Sequence, residues 1–136
     1  MKVKSLNLED HFTTIIHDPS PHRLSASDIP VSERRLPVVY ECDNCNEKIS
    51  FKTESFKKHC NSEFTNLSIN ENDHFESFIR ANHLTKLSFL DFRCPSCHQP
   101  TKILFDGGPS GYWGEFYFEI KAALILKEVK PAANTV

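Results

Sequence analysis

The sequence predicts an α+β domain, in which an antiparallel β-sheet carries a few helices. Three observations lead to this prediction: two Cys-x-x-Cys pairs that each follow a strand-like segment, a long alternating apolar run near the C-terminal end, and a segment with helical spacing between the two pairs. Side chains alternate between the two faces of a strand, whereas positions three and four residues apart share a helix face. The 136 residues suit a single domain.

The first pair, Cys42 and Cys45, is predicted to lie at the tip of a β-hairpin. Asp43 and Asn44 between the cysteines favour a tight turn. The alternating apolar residues of the two flanking strands are Val38, Tyr40, Ile49 and Phe51. This pattern predicts a hairpin that presents both sulfur atoms at one end.

The second pair, Cys94 and Cys97, repeats the arrangement. Leu90 and Phe92 precede it on the same predicted strand face as Cys94, and residues 101–105 read as the returning strand. Residues 107–111, Gly-Gly-Pro-Ser-Gly, predict the next turn.

The last strand is predicted from the alternation of apolar residues between Phe116 and Leu126. At about 3.3 Å per residue, an uninterrupted strand here would exceed roughly 40 Å, so we expect a bend or a bulge. A helix over residues 121–127 is the alternative, because alanine and leucine favour helices.

A helical insertion is predicted at about residues 54–86, between the two pairs. We expect a short helix around residues 55–60 and a longer one over residues 72–83, with Asn70 or Asn72 as its N-cap. In the longer helix Phe75, Phe78 and Ile79 share one face. Both helices are expected to form one layer on one face of the sheet.

The two ends of the chain are expected to be less ordered. Residues 1–36 are predicted to be a flexible or loosely packed arm containing one short amphipathic helix that Asn7 caps. Residues 37–130 then form the main domain, and residues 131–136 form a disordered tail.

The four paired cysteines predict a metal site. Two Cys-x-x-Cys pairs supply the four thiolates of a tetrahedral zinc ion, so Cys42, Cys45, Cys94 and Cys97 are the candidate ligands. Over residues 38–51 and 87–126 the chain resembles the zinc-ribbon group, in which two hairpin knuckles hold one structural zinc ion beside a three-stranded sheet. That group has glycine soon after each second cysteine, where this chain has Asn46 and His98. Asn46 is therefore expected to adopt the left-handed conformation.

The cysteines also fit other metal and redox chemistries. Iron bound by four thiolates fits the same residues, as in rubredoxin-like sites. Residues 94–98 also match a c-type haem attachment and a glutaredoxin-like redox pair, but the only methionine is Met1 and a strand, not a helix, is predicted after Cys97. Cys60, beside His59, is expected to be a small buried apolar residue.

The composition of the chain limits the classes of function that can be expected. The net charge of −2 is evenly spread, which does not favour binding to nucleic acid. No apolar run is long enough for a membrane span or a secretory signal, so a reducing, cytoplasmic setting is expected. A zinc ion with four thiolate ligands has no open position for a substrate, and no catalytic or cofactor-binding residues can be assigned, so the chain is not expected to be an enzyme.

These features favour a protein–protein recognition module: an adaptor or an inhibitor, including the toxin-neutralising immunity type. The expected contact surfaces are the inserted helices, the turn at Tyr112 and Trp113, and the open edge of the last strand. The alternative is a nucleic-acid-binding zinc ribbon in transcription, RNA or defence machinery, which would require local basic patches.

Overall fold

The computed structural model describes residues 1–17, 38–109 and 116–128 of the chain. The predicted tail at residues 131–136 and the Tyr112–Trp113 turn lie outside these residues, as does the part of the predicted arm from residue 18 to residue 36. The elements, in chain order, are β1 (Lys2–Ser5), α1 (Leu8–His11), β2 (Ile16–His17), β3 (Val38–Glu41), β4 (Lys48–Phe51), α2 (Thr53–His59), α3 (Ile69–Ala81), β5 (Ser88–Arg93), β6 (Pro100–Pro109) and β7 (Phe116–Lys127). Antiparallel sheets and a few helices confirm the α+β class.

The strands form a five-stranded antiparallel sheet and a separate two-stranded hairpin. The large sheet has the order β1–β7–β6–β5, and β2 also pairs with β7. Strand β7 therefore has neighbours on both sides over much of its length, with β6 on one side and the N-terminal strands on the other. The expectation of an open edge on the last strand is wrong, because residues 2–5 and 16–17 pair with it.

Strand β7 contains a bulge at Lys121. Leu104 pairs with Ala122 and Phe105 pairs with Ile120, so β7 has one residue more than β6 between these two pairs. The extra residue reverses which positions of β7 point to which face. Residues 116, 118, 120, 123 and 125 pack in one core cluster, whereas residues 122, 124 and 126 pack in the other. The expected bulge is confirmed, but the single apolar face predicted from Phe116 to Leu126 is wrong.

The two faces of the large sheet are covered by different elements. On one face, which we call the knuckle face, lie the β3–β4 hairpin and α2, whose Phe56 ring stacks on Phe118 at 4.2 Å between centroids. On the other, which we call the helix face, lies α3, whose Phe75 and Ile79 pack with Leu124. The predicted single helical layer is therefore wrong. The two helices separate because the apolar side chains of both sheet faces need cover.

Helix α3 begins earlier than predicted. Ser68, not Asn70 or Asn72, is the N-cap: its hydroxyl accepts from the Glu71 N–H, and the Glu71 carboxylate accepts from the Ser68 N–H at 2.8 Å. This capping box satisfies two N–H groups at once. Glu71 is also ion-paired with Arg93 on β5, so the start of the helix is tied to the sheet.

The N-terminal segment packs along the large sheet over residues 1–17. Asn7 caps α1 as predicted, and its side chain accepts from the Glu9 N–H at 3.1 Å. The helix ends at His11, and Phe12 then forms a bridge to Tyr40 of β3. The segment thus contacts both the large sheet and the hairpin.

The close approach of β6 to β7 at Gly107 gives a prediction. A Cβ atom at Gly107 would lie 2.7 Å from the Phe116 ring and 2.9 Å from the Tyr117 carbonyl oxygen, whereas one at Gly108 would have its nearest contact at 3.9 Å. We expect Gly107→Ala to lower the free energy of unfolding by about 1–3 kcal/mol. Gly108→Ala should change it by less than about 0.5 kcal/mol. Equal effects of the two variants in urea denaturation would contradict this packing.

The capping box gives a prediction for pH. Burial would raise the pKa of Glu71, but hydrogen bonds from Ser68 and the Arg93 ion pair outweigh it and lower that pKa. A carboxyl group with a lowered folded-state pKa stabilises the fold above its unfolded pKa, and this stability is lost as pH falls through the folded value. We expect Glu71→Gln to destabilise by about 1–3 kcal/mol at pH 7. The difference from wild type should shrink below about pH 4.

Urea denaturation of both proteins at pH 7 and pH 3 measures this difference. Glu63→Gln, which changes an exposed carboxylate outside the helix cap, is the control and should have little effect at either pH. A difference between wild type and Glu71→Gln that is as large at pH 3 as at pH 7 would count against the role given to the Arg93 pair.

Candidate metal centre

The two Cys-x-x-Cys turns, which we call the first knuckle (residues 42–45) and the second knuckle (residues 94–97), have the same backbone hydrogen bonds. In the first knuckle the Asn46 N–H donates to the Cys42 carbonyl at 2.9 Å, and the Cys42 N–H donates to the Glu47 carbonyl at 2.9 Å. The second has the corresponding bonds, from His98 to Cys94 at 2.8 Å and from Cys94 to Gln99 at 3.1 Å. Each knuckle closes its hairpin in the same way and points two sulfur atoms in one direction.

The residue that follows each second cysteine has a left-handed backbone. Asn46 has φ of 62° and His98 has φ of 63°. The expectation for Asn46 is confirmed, and His98 adopts the same conformation at the equivalent position. Asparagine and histidine tolerate this region better than most residues other than glycine, which explains how the chain turns without glycine here.

The four sulfur atoms converge on one point. All four lie within 4.8 Å of one another, and two close contacts join the knuckles: Cys42 to Cys97 at 3.6 Å and Cys45 to Cys94 at 3.5 Å. A tetrahedral ion with metal–sulfur bonds of about 2.3 Å needs sulfur–sulfur edges of roughly 3.8 Å. A disulfide would need about 2.05 Å. The cysteines therefore lie close enough to hold one metal ion, and they are not bonded to each other.

The four thiols differ in their surroundings. Cys42 and Cys94 are fully buried, Cys97 is partly buried and Cys45 is exposed to solvent. Burial raises the pKa of Cys42 to about 12. Burial alone would also raise the pKa of Cys97, but hydrogen bonds from the Asn44 side chain and the Gln99 backbone lower it to about 7. An ion bound here would therefore displace protons, because a metal binds the thiolate and not the thiol.

Charged residues surround the first knuckle. The Asp43 carboxylate lies 3.1 Å from the Lys127 amine, 3.7 Å from the His11 Nε2 atom and 4.0 Å from the Lys4 amine. These partners come from β7, α1 and β1, so Asp43 joins the first knuckle to three other segments. Lysine charges beside a cluster of thiolates also offset part of its negative charge.

Tyr40 adds a buried polar atom next to the cluster. Its side chain is fully buried and its hydroxyl has no hydrogen-bond partner. Burial, together with the charge of Cys42, raises the pKa of Tyr40. A buried hydroxyl without a partner is uncommon in folded proteins.

Comparisons with known proteins add no relative. No family model matches the chain, and no curated protein or solved structure is similar to it at a significant level. Among the residues that the structure describes, no helix is long and apolar enough to cross a membrane. The class of site rests on the geometry alone: four thiols from two hairpins, placed to bind one ion.

The fifth cysteine lies apart from the cluster. Cys60 ends α2, is partly buried against the knuckle-face core, and its sulfur lies 3.4 Å from the Gly107 carbonyl oxygen. It is absent from the group of sulfur atoms that converge. His98 contributes its left-handed backbone at the second knuckle.

A buried polar network on the helix face was not predicted. Asp91 and Lys102 are each 1% exposed and pair across β5 and β6, with 3.9 Å between the Lys102 amine and a carboxylate oxygen. The amine also donates to the Asn72 side chain at 3.0 Å and lies 4.2 Å from the Phe89 ring centroid. Burial lowers the pKa of Lys102, and the attraction of Asp91 offsets only part of this effect. The sequence offers one signal for this network, which is a lysine directly before the apolar residues 103–105 of β6.

This network is closed to solvent and joins α3 to the sheet. Asp91 also accepts from the Asn66 N–H at 2.8 Å and from the Thr65 hydroxyl, so its carboxylate has partners on β6 and in the segment that precedes α3. A cavity of about 310 Å³ lies nearby, between α3 and β5, lined by Glu76, Ile79, Leu87, Phe89 and Leu104 among others. Lys102 and Asp91 are not among its lining residues. We therefore assign the pair a role in packing.

The left-handed positions give a test of the knuckle geometry. We expect Asn46→Val to destabilise the protein by roughly 1–3 kcal/mol, because a β-branched residue is strained at positive φ. Asn46→Gly should be neutral or slightly stabilising, since glycine adopts this conformation without a steric penalty. Thermal unfolding of both variants measures the difference, and a valine variant as stable as the glycine variant would argue against a left-handed Asn46.

Removal of one buried thiol tests the metal site. We expect Cys94→Ala to lose the bound metal and its cooperative unfolding transition, because structural zinc contributes on the order of 10–16 kcal/mol in small peptides. Cys60→Ala should keep one metal ion per chain and a transition within a few degrees of wild type. Metal analysis and circular dichroism measure both properties. A Cys94→Ala protein that keeps one ion and wild-type stability would rule out the four-cysteine site.

Proposed function

We propose that the chain is a non-enzymatic, cytoplasmic zinc-binding protein that acts as a protein–protein recognition module. The observation that carries the proposal is the convergence of four thiols on one point. Four thiolate ligands fill a tetrahedral coordination sphere and leave no position for a substrate or a reactive water. The ion then has a structural role, and the protein acts through contacts made by its surface.

We propose zinc as the bound ion and the zinc ribbon as the class of protein that the chain resembles. Four thiolates in a tetrahedron suit both zinc and iron, but zinc has no redox chemistry of its own and is the commoner ion in structural sites of this kind. Two equivalent knuckles at the tips of two hairpins support the zinc-ribbon likeness. Metal analysis of the purified chain, with its visible absorption spectrum, separates the two ions because iron–thiolate centres are coloured.

The insertion between the knuckles provides the proposed recognition surface. Phe64 and Ile69 lie in it and are 61% and 83% exposed. Exposed aromatic and aliphatic side chains are the usual anchors of protein interfaces, whereas charged residues are depleted from interface cores. A partner that buries these two side chains would suit an adaptor or an inhibitor, including one of the toxin-neutralising immunity type.

A binding experiment with the metal-loaded full chain tests this proposal. A tagged chain is used to isolate partners from the native host, and the affinity of each identified protein is then measured with purified components. We expect Phe64→Ala with Ile69→Ala to weaken binding by at least about tenfold, which is roughly 1.4 kcal/mol. Ile16→Ala, which removes another exposed apolar side chain from a different region, is the matched control and should bind like wild type. Equal binding by all three proteins would reject this surface.

Nucleic-acid binding is the second candidate, and one observation favours it. Lys2 and Lys4 lie in β1, and Lys127 lies opposite Lys2, so three lysines gather at one end of the large sheet. Two of them are engaged by Asp43, which reduces their pull on phosphates. Labelled DNA and RNA are titrated across a salt series. Micromolar binding that falls steeply with salt would support this candidate, and no binding at low salt would remove it.

A further inference from the structure

The four candidate ligands are unequally accessible to a reagent in solution. Cys42 and Cys94 are fully buried, whereas Cys45 is exposed at the tip of the first knuckle. A thiolate bound to a zinc ion is deprotonated outright, so it remains a nucleophile where solvent reaches it. Cys97 is partly buried, so Cys45 is the most exposed residue of the cluster.

A close sulfur neighbour of Cys45 belongs to the other knuckle. Its sulfur atom lies 3.5 Å from that of Cys94, and the second short separation, 3.6 Å between Cys42 and Cys97, also crosses between the knuckles. A disulfide between Cys45 and Cys94 would therefore join residues 49 apart in sequence and link the two knuckles covalently.

We propose that Cys45 is a peroxide-sensitive modification site and that Cys94 resolves it by a cross-knuckle disulfide, with release of the zinc ion. The Cys45 thiolate attacks one oxygen of hydrogen peroxide, the O–O bond breaks, and a sulfenic acid and hydroxide form. The Cys94 thiolate then attacks the Cys45 sulfur, and the second hydroxide leaves as the S–S bond forms. Two thiolates lose two electrons in total, the peroxide gains them, and two protons from solvent complete two water molecules.

Loss of the ion follows from the loss of two ligands. A disulfide sulfur is no longer a thiolate, so the ion would keep only Cys42 and Cys97 as charged ligands. The two hairpins would remain joined, but by a covalent bond in place of the ion. The modification goes beyond the proposed recognition role, because it needs only the metal site and no partner.

The sequence makes the two kinds of disulfide easy to distinguish. Cleavage after lysine and arginine leaves Cys42 and Cys45 together in residues 36–48, and Cys94 and Cys97 together in residues 94–102. A cross-knuckle disulfide joins these two peptides into one species, whereas a disulfide within either Cys-x-x-Cys pair leaves them separate. Alkylation of the remaining thiols before digestion, followed by fragmentation, identifies the bonded cysteines.

The experiment starts from the full chain with its zinc content measured. It is treated with one equivalent of hydrogen peroxide, a chromogenic chelator follows zinc release, and samples are taken for disulfide mapping. We expect the first disulfide to join Cys45 to Cys94, with one zinc ion released per disulfide, and reversal by dithiothreitol and added zinc. A first disulfide within one Cys-x-x-Cys pair, an irreversible sulfinic acid at Cys45, or no zinc release under excess peroxide would overturn the proposal.

Two variants sharpen the result. Cys45→Ser should slow peroxide-driven zinc release by about tenfold or more, because the remaining ligands are less exposed. Cys60→Ser, which removes the thiol that lies outside the cluster, should release zinc within about twofold of the wild-type rate. If Cys45→Ser binds zinc too weakly to be loaded, the disulfide map of the wild-type chain still decides the question. A chain that contains no zinc before treatment would instead count against the proposed function.

Discussion

Four sulfur atoms from two hairpins converge on one point, and a metal ion bound there would fix the position of the β3–β4 hairpin. Among the described residues, this hairpin forms a two-stranded sheet of its own and has no strand pairing with the five-stranded sheet. An isolated bridge joins its Tyr40 to Phe12, which lies between α1 and β2. An isolated two-stranded hairpin is marginally stable in water. An ion that binds Cys42 and Cys45 on this hairpin and Cys94 and Cys97 beside the large sheet would hold the two sheets together.

Aromatic packing and charge support the same junction from either side of the cysteines. The Tyr40 and Phe51 rings of the hairpin contact Phe92 of β5, at 5.8 Å and 5.0 Å between centroids. Asp43 adds ion pairs to residues of β1 and β7. The metal site, the aromatic layer and Asp43 therefore lie at one interface, and a change at any of them is expected to affect the others.

Local patterns in the sequence predicted local structure well. The spacing of the cysteines predicted both knuckles, and the missing glycine predicted a left-handed Asn46. What failed depends on contacts between distant segments. One extra residue at Lys121 moves the later part of β7 to the opposite face, which an alternating pattern alone does not reveal. The pairing of β1 with β7 joins residues far apart in the chain, and the tertiary arrangement that selects it is not encoded in any short window.

The central claim is that one zinc ion bound by four cysteine sulfurs joins the two hairpins, which leaves the surface of the insertion for recognition. X-ray absorption spectroscopy at the zinc edge of the purified full chain, with metal analysis of the same sample, tests this claim most directly. The account predicts one zinc ion per chain with four sulfur neighbours at about 2.3 Å. A chain purified without metal, or a zinc ion with nitrogen or oxygen neighbours in place of sulfur, would contradict it.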